Sequence, residues 1–478
     1  MTYETVIGLE VHAELSVNTK LFCACSAKFG AEQNENVCPA CCGMPGMPAV
    51  LNKRAVELGI AAGILTESEI ANVVSFDKKN YFYPDLPAGY QITQYFSPIC
   101  KNGKIHIEAP ESKTITLKQI HIEQDAGKLV HDGRAGCTYV DYNRAGVPLI
   151  EIVSNADFNS GAEVLAYLEK LREILSFAKI SDCKMQEGSM RCDINVSVRK
   201  KGEKKLGTRT EIKNMNSLKA IAAAIEYESA RHIEALETGS EVLIQETRRW
   251  DESEGATFSM REKEDATDYR YFPDAEIVPV TINTEWIEKI RAALPETARN
   301  KYLRLTGELG LSDYDAKIIT GSRNLSDIFD ETMKHFNNPK EIANWIIVEL
   351  LSVAKGDNKS ADDIKLNCAG FAKIITFVND KTINRNVGKK MIPDLLKDGE
   401  DFKPEKYIEE NNLGMLTDAN EIAGVVREVL SENQKSVAEY KKGNQKVVGF
   451  LMGQIMRKLG GKADPQVVGE LINGELSP

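Results

Sequence analysis

The chain has 478 residues, 42% of them hydrophobic and 27% charged, with a formal net charge of −11. A chain of this length divides into roughly two to four domains with cores of their own, and its acidic balance argues against broad charge-driven binding to nucleic acid. No apolar run is long enough to span a bilayer, and Met1-Thr2-Tyr3-Glu4-Thr5-Val6-Ile7 shows neither a basic n-region nor an Arg-rich leader, so a cytoplasmic location is expected.

The first element is a strand over Thr5–Leu15, with Glu10, His12 and Glu14 alternating against Leu9, Val11, Ala13 and Leu15. A cysteine cluster follows: of ten cysteines, five fall between positions 23 and 42. Cys23-Ala24-Cys25 and Cys38-Pro39-Ala40-Cys41 form two close thiol pairs separated by twelve residues, a spacing that converges on tetrahedral zinc. Four sulfur ligands leave no open position for water, so this metal is expected to be structural, with Cys42 a bystander. The scattered cysteines read as small buried hydrophobes.

Helical spacing over Arg54–Leu65 gives way to a second alternating strand, Ile115–Asp125, with His121, Glu123 and Asp125 on one side. The run Val147–Val153 holds one acid, Glu151, among apolar neighbours, where a carboxylate is costly without a partner. A helix over Ala162–Phe177 precedes a third alternating strand, Arg191–Arg199, whose polar side carries Asp193, Asn195 and Ser197. Another helix, Ser217–Leu236, is entered through Asn216-Ser217 as its cap. Strands mixed with segregated helices indicate an α+β domain. Beyond Pro279 the spacing is helical almost throughout, as in Lys340–Lys355, with polar breaks at Gly356–Lys359 and Lys397–Glu400. A last helical unit begins near Lys403-Pro404. It carries a basic stretch of Lys435, Lys441, Lys442, Lys446, Arg457, Lys458 and Lys462, which reads either as a solvated face or as a phosphate-contacting patch.

Because strand side chains alternate faces, each strand presents its acids together. One such strand is a sheet edge in water; three, plus Glu151, form a surface whose charges repel unless a cation neutralises them. Oxygen-rich ligands with one or two imidazoles suit Mg²⁺ or Mn²⁺, and Mg²⁺ points to a nucleotide phosphate. Neither GxxxxGK[ST], GxGxxG nor GxSxG is present, which disfavours P-loop, Rossmann and nucleophile-elbow sites.

The strings Glu4–Leu15, Phe76–Asp85, Tyr90–Gln94, Asp125–Lys128, Asp141–Arg144, Pro148–Ser154, Gly188–Asp193, Glu211–Ser217, Glu246–Arg249, Asp268–Pro273 and Gly449–Met456 together resemble the B subunits of the tRNA-dependent amidotransferases over the whole chain. The resemblance implies a mixed-sheet cradle domain (1–293), a helical domain (294–405) and a small helical, tRNA-binding tail (406–478). It implies a heterotrimer with an A glutaminase subunit and a C subunit, acting on misacylated Glu-tRNA(Gln) or Asp-tRNA(Asn) with ATP. Under this reading Glu10, His12, Glu123 and Glu151 ligate Mg²⁺, while Asp193 and Asn195 serve a second ion or its water shell. Lys79 and Arg191 meet phosphate, and Asp125 joins Arg191 and Asn195 in cofactor binding. In many relatives Glu-Glu precedes the Asp-Ala-Gly-Lys motif, whereas here it is Glu123-Gln124; alternation favours Glu123 as the ligand. An archaeal-type relative would need a large insertion for which the chain has no spare segment.

Overall fold

A computed structural model describes residues 2–476 except 109, 134–135, 214, 216, 263–267, 417–418, 442–446 and 461. The chain forms two compact units, Met1–Thr297 and Ala298–Pro478.

The first unit opens with strand β1 (Tyr3–Glu14) and helix α1 (Lys53–Leu65), then short strands β2 (Glu69–Ile70) and β3 (Val73–Val74). Strands β4 (Asp77–Asn80) and β5 (Tyr90–Thr93) precede the long hairpin β6 (Cys100–Ile107) and β7 (Lys113–Gln124). A second hairpin, β8 (Lys128–Asp132) and β9 (Cys137–Asp141), leads to β10 (Pro148–Ser154) and helix α2 (Gly161–Phe177). Strands β11 (Met190–Lys200) and β12 (Thr210–Lys213), helix α3 (Leu218–Thr238), and strands β13 (Glu246–Asp251) and β14 (Ala256–Glu262) complete the main layer.

Nine strands form one mixed sheet in the order β14-β13-β12-β11-β1-β10-β7-β6-β2, with β12 and β13 parallel and the other pairs antiparallel. One face is apolar. Leu9, Val11, Ile120, Ile122, Ile150, Ile152, Ile194 and Ile212 are buried in a single cluster with Ile60 of α1, Leu168 and Leu171 of α2, and Ile221 and Ala224 of α3. Side chains of the opposite alternation (Glu10, His12, Glu151, Glu123, Asp193 and Asn195) are thereby driven onto the other face. Ser160 and Ser217 cap α2 and α3 by accepting N–H bonds from Glu163 and Ala220; Asn216 lies outside the described residues. Each strand and helix expected above occurs within about two residues of its expected ends.

The second unit is helical throughout its described length and holds two apolar clusters. One gathers Phe329, Trp345, Ile346, Leu350, Phe371, Ile374 and Leu395; the other gathers Ile422, Val426, Leu451, Ile455 and Ile472. The expected helix Lys340–Lys355 is present, but its middle, Trp345–Leu350, winds as a π-helix between α-helical turns Pro339–Asn344 and Leu351–Gly356. Its wider turn accompanies burial of Glu349, which pairs with Arg385 and Lys389 at 3.3 and 3.1 Å. No described helix is long and apolar enough to cross a membrane. In the basic stretch, Lys442 and Lys446 lie outside the described residues, while Lys458 pairs with Glu428 and Glu432, each at 2.9 Å.

Candidate functional site

Antiparallel register places four ionisable groups side by side across the polar face: Arg191 on β11 is opposite His12, His12 is opposite Glu151, and Glu151 is opposite His121. Glu151 therefore lies between two imidazoles, its Oε2 being 3.4 Å from His12 Nε2 and 3.1 Å from His121 Nε2. Glu123, two residues along β7 from His121, brings Oε1 to 3.8 Å from the same His12 nitrogen. Ligand atoms of His12, Glu123 and Glu151 all fall within 4.8 Å of one another, close enough to share one ion.

The small three-stranded sheet in which β4 pairs with β5 and with Phe272–Pro273 supplies the far wall. Thr93 of β5 donates to Glu123 Oε2 at 3.1 Å, and Gln94 accepts the Ile122 N–H at 2.9 Å. Gln124 points to that wall as well: its amide oxygen accepts the Ile92 N–H at 3.1 Å, and its carbonyl accepts from Gln91 at 2.7 Å. Thus Glu123, not Gln124, faces the cluster, as strand alternation requires.

Charge is unevenly distributed here. Burial works against the Glu151 carboxylate, but His121 and His12 outweigh it and hold its pKa well below the ordinary range. Burial also opposes a charged His12, yet the hydrogen bond and charge of Glu151, with Glu123, raise it to about 9. Glu123 goes the other way. Its burial, then the Glu151 charge, raise its pKa against the pull of His12, His121 and Lys79. A carboxyl that is buried, raised and next to a second carboxylate is one that an added cation would ionise.

The remaining expected residues form the margins. Glu10 accepts from Asn195 Nδ2 at 3.1 Å and stands outside the three-residue cluster; burial and the charges of Glu151 and Glu211 raise its pKa. Asp193 pairs with Lys213 at 3.0 Å. Asp125 is engaged by Arg191 at 2.7 Å and Arg144 at 3.6 Å, so the guanidinium expected to meet phosphate already holds a carboxylate. Burial, then Asp125, push the neighbouring Glu14 up to about 8. Lys79 Nζ sits 5.0 Å from the Tyr269 ring centroid and 5.7 Å from that of Tyr81. Tyr271, two residues on from Tyr269, stacks on Tyr95 at 3.9 Å.

Sequence reasoning passed over His121 as a site residue, though it lay on the polar side of its strand. It also passed over Lys213 and Glu211, which flank Ile212 on a strand of only four residues, too short for alternation to stand out. Thr93 carried no signal beyond its place in a polar strand.

The cysteine pairs do converge. Sγ atoms of Cys23, Cys25, Cys38 and Cys41 lie within 4.8 Å of one another, compatible with the S···S separation of about 3.8 Å implied by tetrahedral Zn–S bonds of about 2.3 Å. Hydrogen bonding from Cys23 is the main influence holding the Cys41 thiol down, to about 4. The Cys38 N–H, 3.1 Å away, and Lys20 add to it. The donor set fits a metal such as zinc, and the group shares no residue with the His12–Glu123–Glu151 cluster.

An α+β sheet with one helix-packed face carries on its other face acids and imidazoles of which His12, Glu123 and Glu151 could share one ion. Residues 5–288 match the family described as GatB/GatE catalytic domain, and residues 327–476 that described as GatB domain. Relatives named as the B subunit of aspartyl/glutamyl-tRNA(Asn/Gln) amidotransferase are similar along their full length. That of Lachnoclostridium phytofermentans is 51% identical over 99% of both chains. Those of Agathobacter rectalis and Carboxydothermus hydrogenoformans are each 48% identical, over 98% and 99% of both chains respectively. The chain belongs to this GatB family.

Proposed function

We propose that this chain is the ATP-dependent carbon–nitrogen ligase subunit of a tRNA amidotransferase. It would activate the side-chain carboxylate of Glu-tRNA(Gln), Asp-tRNA(Asn) or both, and amidate it with ammonia from a partner glutaminase subunit. The observation that carries this reading is the His12–Glu123–Glu151 cluster: a buried acid, a half-buried acid and an imidazole within reach of one ion, on a face rimmed by Lys79, Arg191 and Lys213. The relatives' names supply the substrate class.

A carboxylate is a poor electrophile. Its oxygen attacks the γ-phosphorus of ATP and ADP leaves; ammonia then attacks the acyl carbon of the acyl phosphate, and inorganic phosphate and a proton depart. The donor set of Glu123, Glu151 and His12, with Glu10 beside it, fits Mg²⁺, which when bound supplies charge neutralisation for phosphoryl transfer. This chain's own groups supply the rest. Lys79 and Arg191 are donors suited to phosphate oxygens. Asp125 holds Arg191 at the edge of the row, and Asn195 holds Glu10 through a hydrogen bond.

The cysteine cluster is proposed to hold a structural zinc. Residues 1–293 would form the catalytic cradle, 294–405 a helical connector and 406–478 a tRNA-binding tail. The helix Pro404–Glu410 spans the proposed boundary, and its Ile408 packs into the core around Phe371. Tail contacts would go to tRNA backbone and shape.

The test is ADP release and amide formation by the chain co-expressed with glutaminase and small bracing subunits, given ATP, Mg²⁺ and ammonium. Glu-tRNA(Gln) is compared with Glu-tRNA(Glu), and Asp-tRNA(Asn) with Asp-tRNA(Asp). Turnover confined to a mischarged tRNA is expected. An assembled, tRNA-binding complex without tRNA-dependent ADP would reduce the chain to a scaffold.

A further inference from the structure

Lys20 is almost fully buried, with 1% of its surface exposed. Its ammonium meets no carboxylate among the described residues. Its partners are Cys41 Sγ at 3.6 Å and the Tyr142 carbonyl at 3.0 Å. An ammonium in such a place is costly unless an anion offsets it. A divalent ion bound by four thiolates carries a net charge of about −2, and Lys20 lies where it offsets part of that charge.

The segment between the two cysteine pairs is not a free loop. Asn34 accepts the Tyr142 N–H at 2.8 Å and donates to the Val140 carbonyl at 3.0 Å. The Asn34 N–H reaches Asp141 at 3.1 Å and the Asn36 N–H reaches Asn143 at 2.8 Å. Next along the chain, Arg144 donates to the carbonyls of Ala126 and Gly127, each at 2.9 Å, and faces Asp125, which holds Arg191 opposite His12. Gly146, with φ +86 and Lys20 Cδ 3.5 Å from where a Cβ would stand, accepts the Leu21 N–H at 2.8 Å through its carbonyl. A cleft of about 340 Å³, lined by Met44 and Met47 from the knot and by Ile92 and Gln124 from the strand ends, lies between the two.

We infer that Lys20 is a positioning residue that ties the cysteine knot to residues 140–146 and, through Arg144 and Asp125, sets the orientation of Arg191 at the reaction face. Only the last link rests on the function proposed above. Metal occupancy of the knot is then felt at residues 142–147 rather than remaining a local matter of stability.

The experiment follows backbone hydrogen exchange of residues 142–147 in the full chain, with zinc content measured in parallel. In the unmodified protein, stripping zinc with a chelator raises exchange there about tenfold or more, and adding zinc alone reverses it. In Lys20→Met that segment exchanges fast even with zinc bound, and zinc is held roughly 10–100-fold less tightly, the range for loss of a group supporting a metal ligand. Lys20→Arg restores both. In the assembled enzyme Lys20→Met lowers kcat with KM for ATP unchanged, and Lys20→Arg recovers kcat. No stoichiometric zinc, an unmoved segment on chelation, or wild-type protection and zinc affinity in Lys20→Met overturns the inference. The chelation arm needs no variant, and neither exchange nor metal content needs tRNA, so failure of the proposed reaction is read separately.

Discussion

Two places in the first unit bury a carboxylate against histidine, and they resolve the cost in opposite ways. Glu228 on α3 has none of its surface exposed. It meets Arg231 at 2.8 Å, Arg248 at 3.2 Å and His232 at 3.5 Å, and accepts the Thr257 hydroxyl. Both guanidiniums are permanently charged. Against the penalty of burial, the hydrogen bonds from His232, Arg231 and Thr257 pull Glu228 down to about 2. Around Glu151 the neighbours are instead His12 and His121, whose pKa values the nearby acids raise against burial, and Glu123 keeps a raised pKa. The first cluster supplies its own cations and ties α3 to β13 and β14. The second has no described Lys or Arg within its three-residue cluster, and it is there that the proposed cation would sit.

Breaking each cluster should therefore hurt different properties. The largest effect is expected for Glu151→Gln: amide formation falls by roughly 10³-fold or more, as when groups aligned on developing charge are lost. Its melting temperature should stay near that of the unmodified chain. A large drop in melting temperature would place Glu151 with Glu228 as a structural acid.

Glu228→Gln is the mirror image. It removes the buried carboxylate that Arg231 and Arg248 share, although Glu241 and Glu246 still face them, so unfolding in denaturant should show a loss of about 3 kcal/mol, the lower end for breaking a buried pair, with kcat of the folded fraction little changed. A stable but inactive variant would erase the contrast.

Acid titration sharpens the same point. Glu228 has a folded pKa of about 2, below its ordinary 4.5, so between those values the unfolded chain binds more protons. Its contribution is complete above about pH 4.5 and is lost as pH falls through 2. Stability measured across that window should slope upward with pH, and the slope should flatten in Glu228→Gln. An unchanged slope would mean other acids set the acid limb.

The smallest effect is expected for Gln124→Ala. Removing the acceptor for the Ile92 N–H should cost about 0.5–1.5 kcal/mol and leave metal-dependent turnover within a few-fold. Loss of activity as deep as in Glu151→Gln would mean that Gln124 rather than Glu123 serves the site.

Period-2 alternation was legible in β1, β7 and β11, and with it the division of each strand into a core side and an acid side. The reason is local: successive strand side chains must point apart, whatever the sheet around them. The cysteine spacing, the serine cap of α3, and the isolated acid in Pro148–Ser154 were legible for the same reason, since each rests on neighbours in sequence.

Which strands lie beside which was decided by long-range register. Only that register put Glu151 between His12 and His121, drew Asp125 into the Arg191 pair, and left Glu10 to Asn195. The short strand carrying Glu211 and Lys213, the β5 wall that brings Thr93 to Glu123, and the reach of Lys20 to Cys41 and Tyr142 are likewise contacts between distant parts of the chain. Local sequence determined which residues share a face, because that depends on backbone geometry alone. The tertiary structure decided which of them meet, because burial, charge and hydrogen bonding act between side chains that the sequence holds far apart.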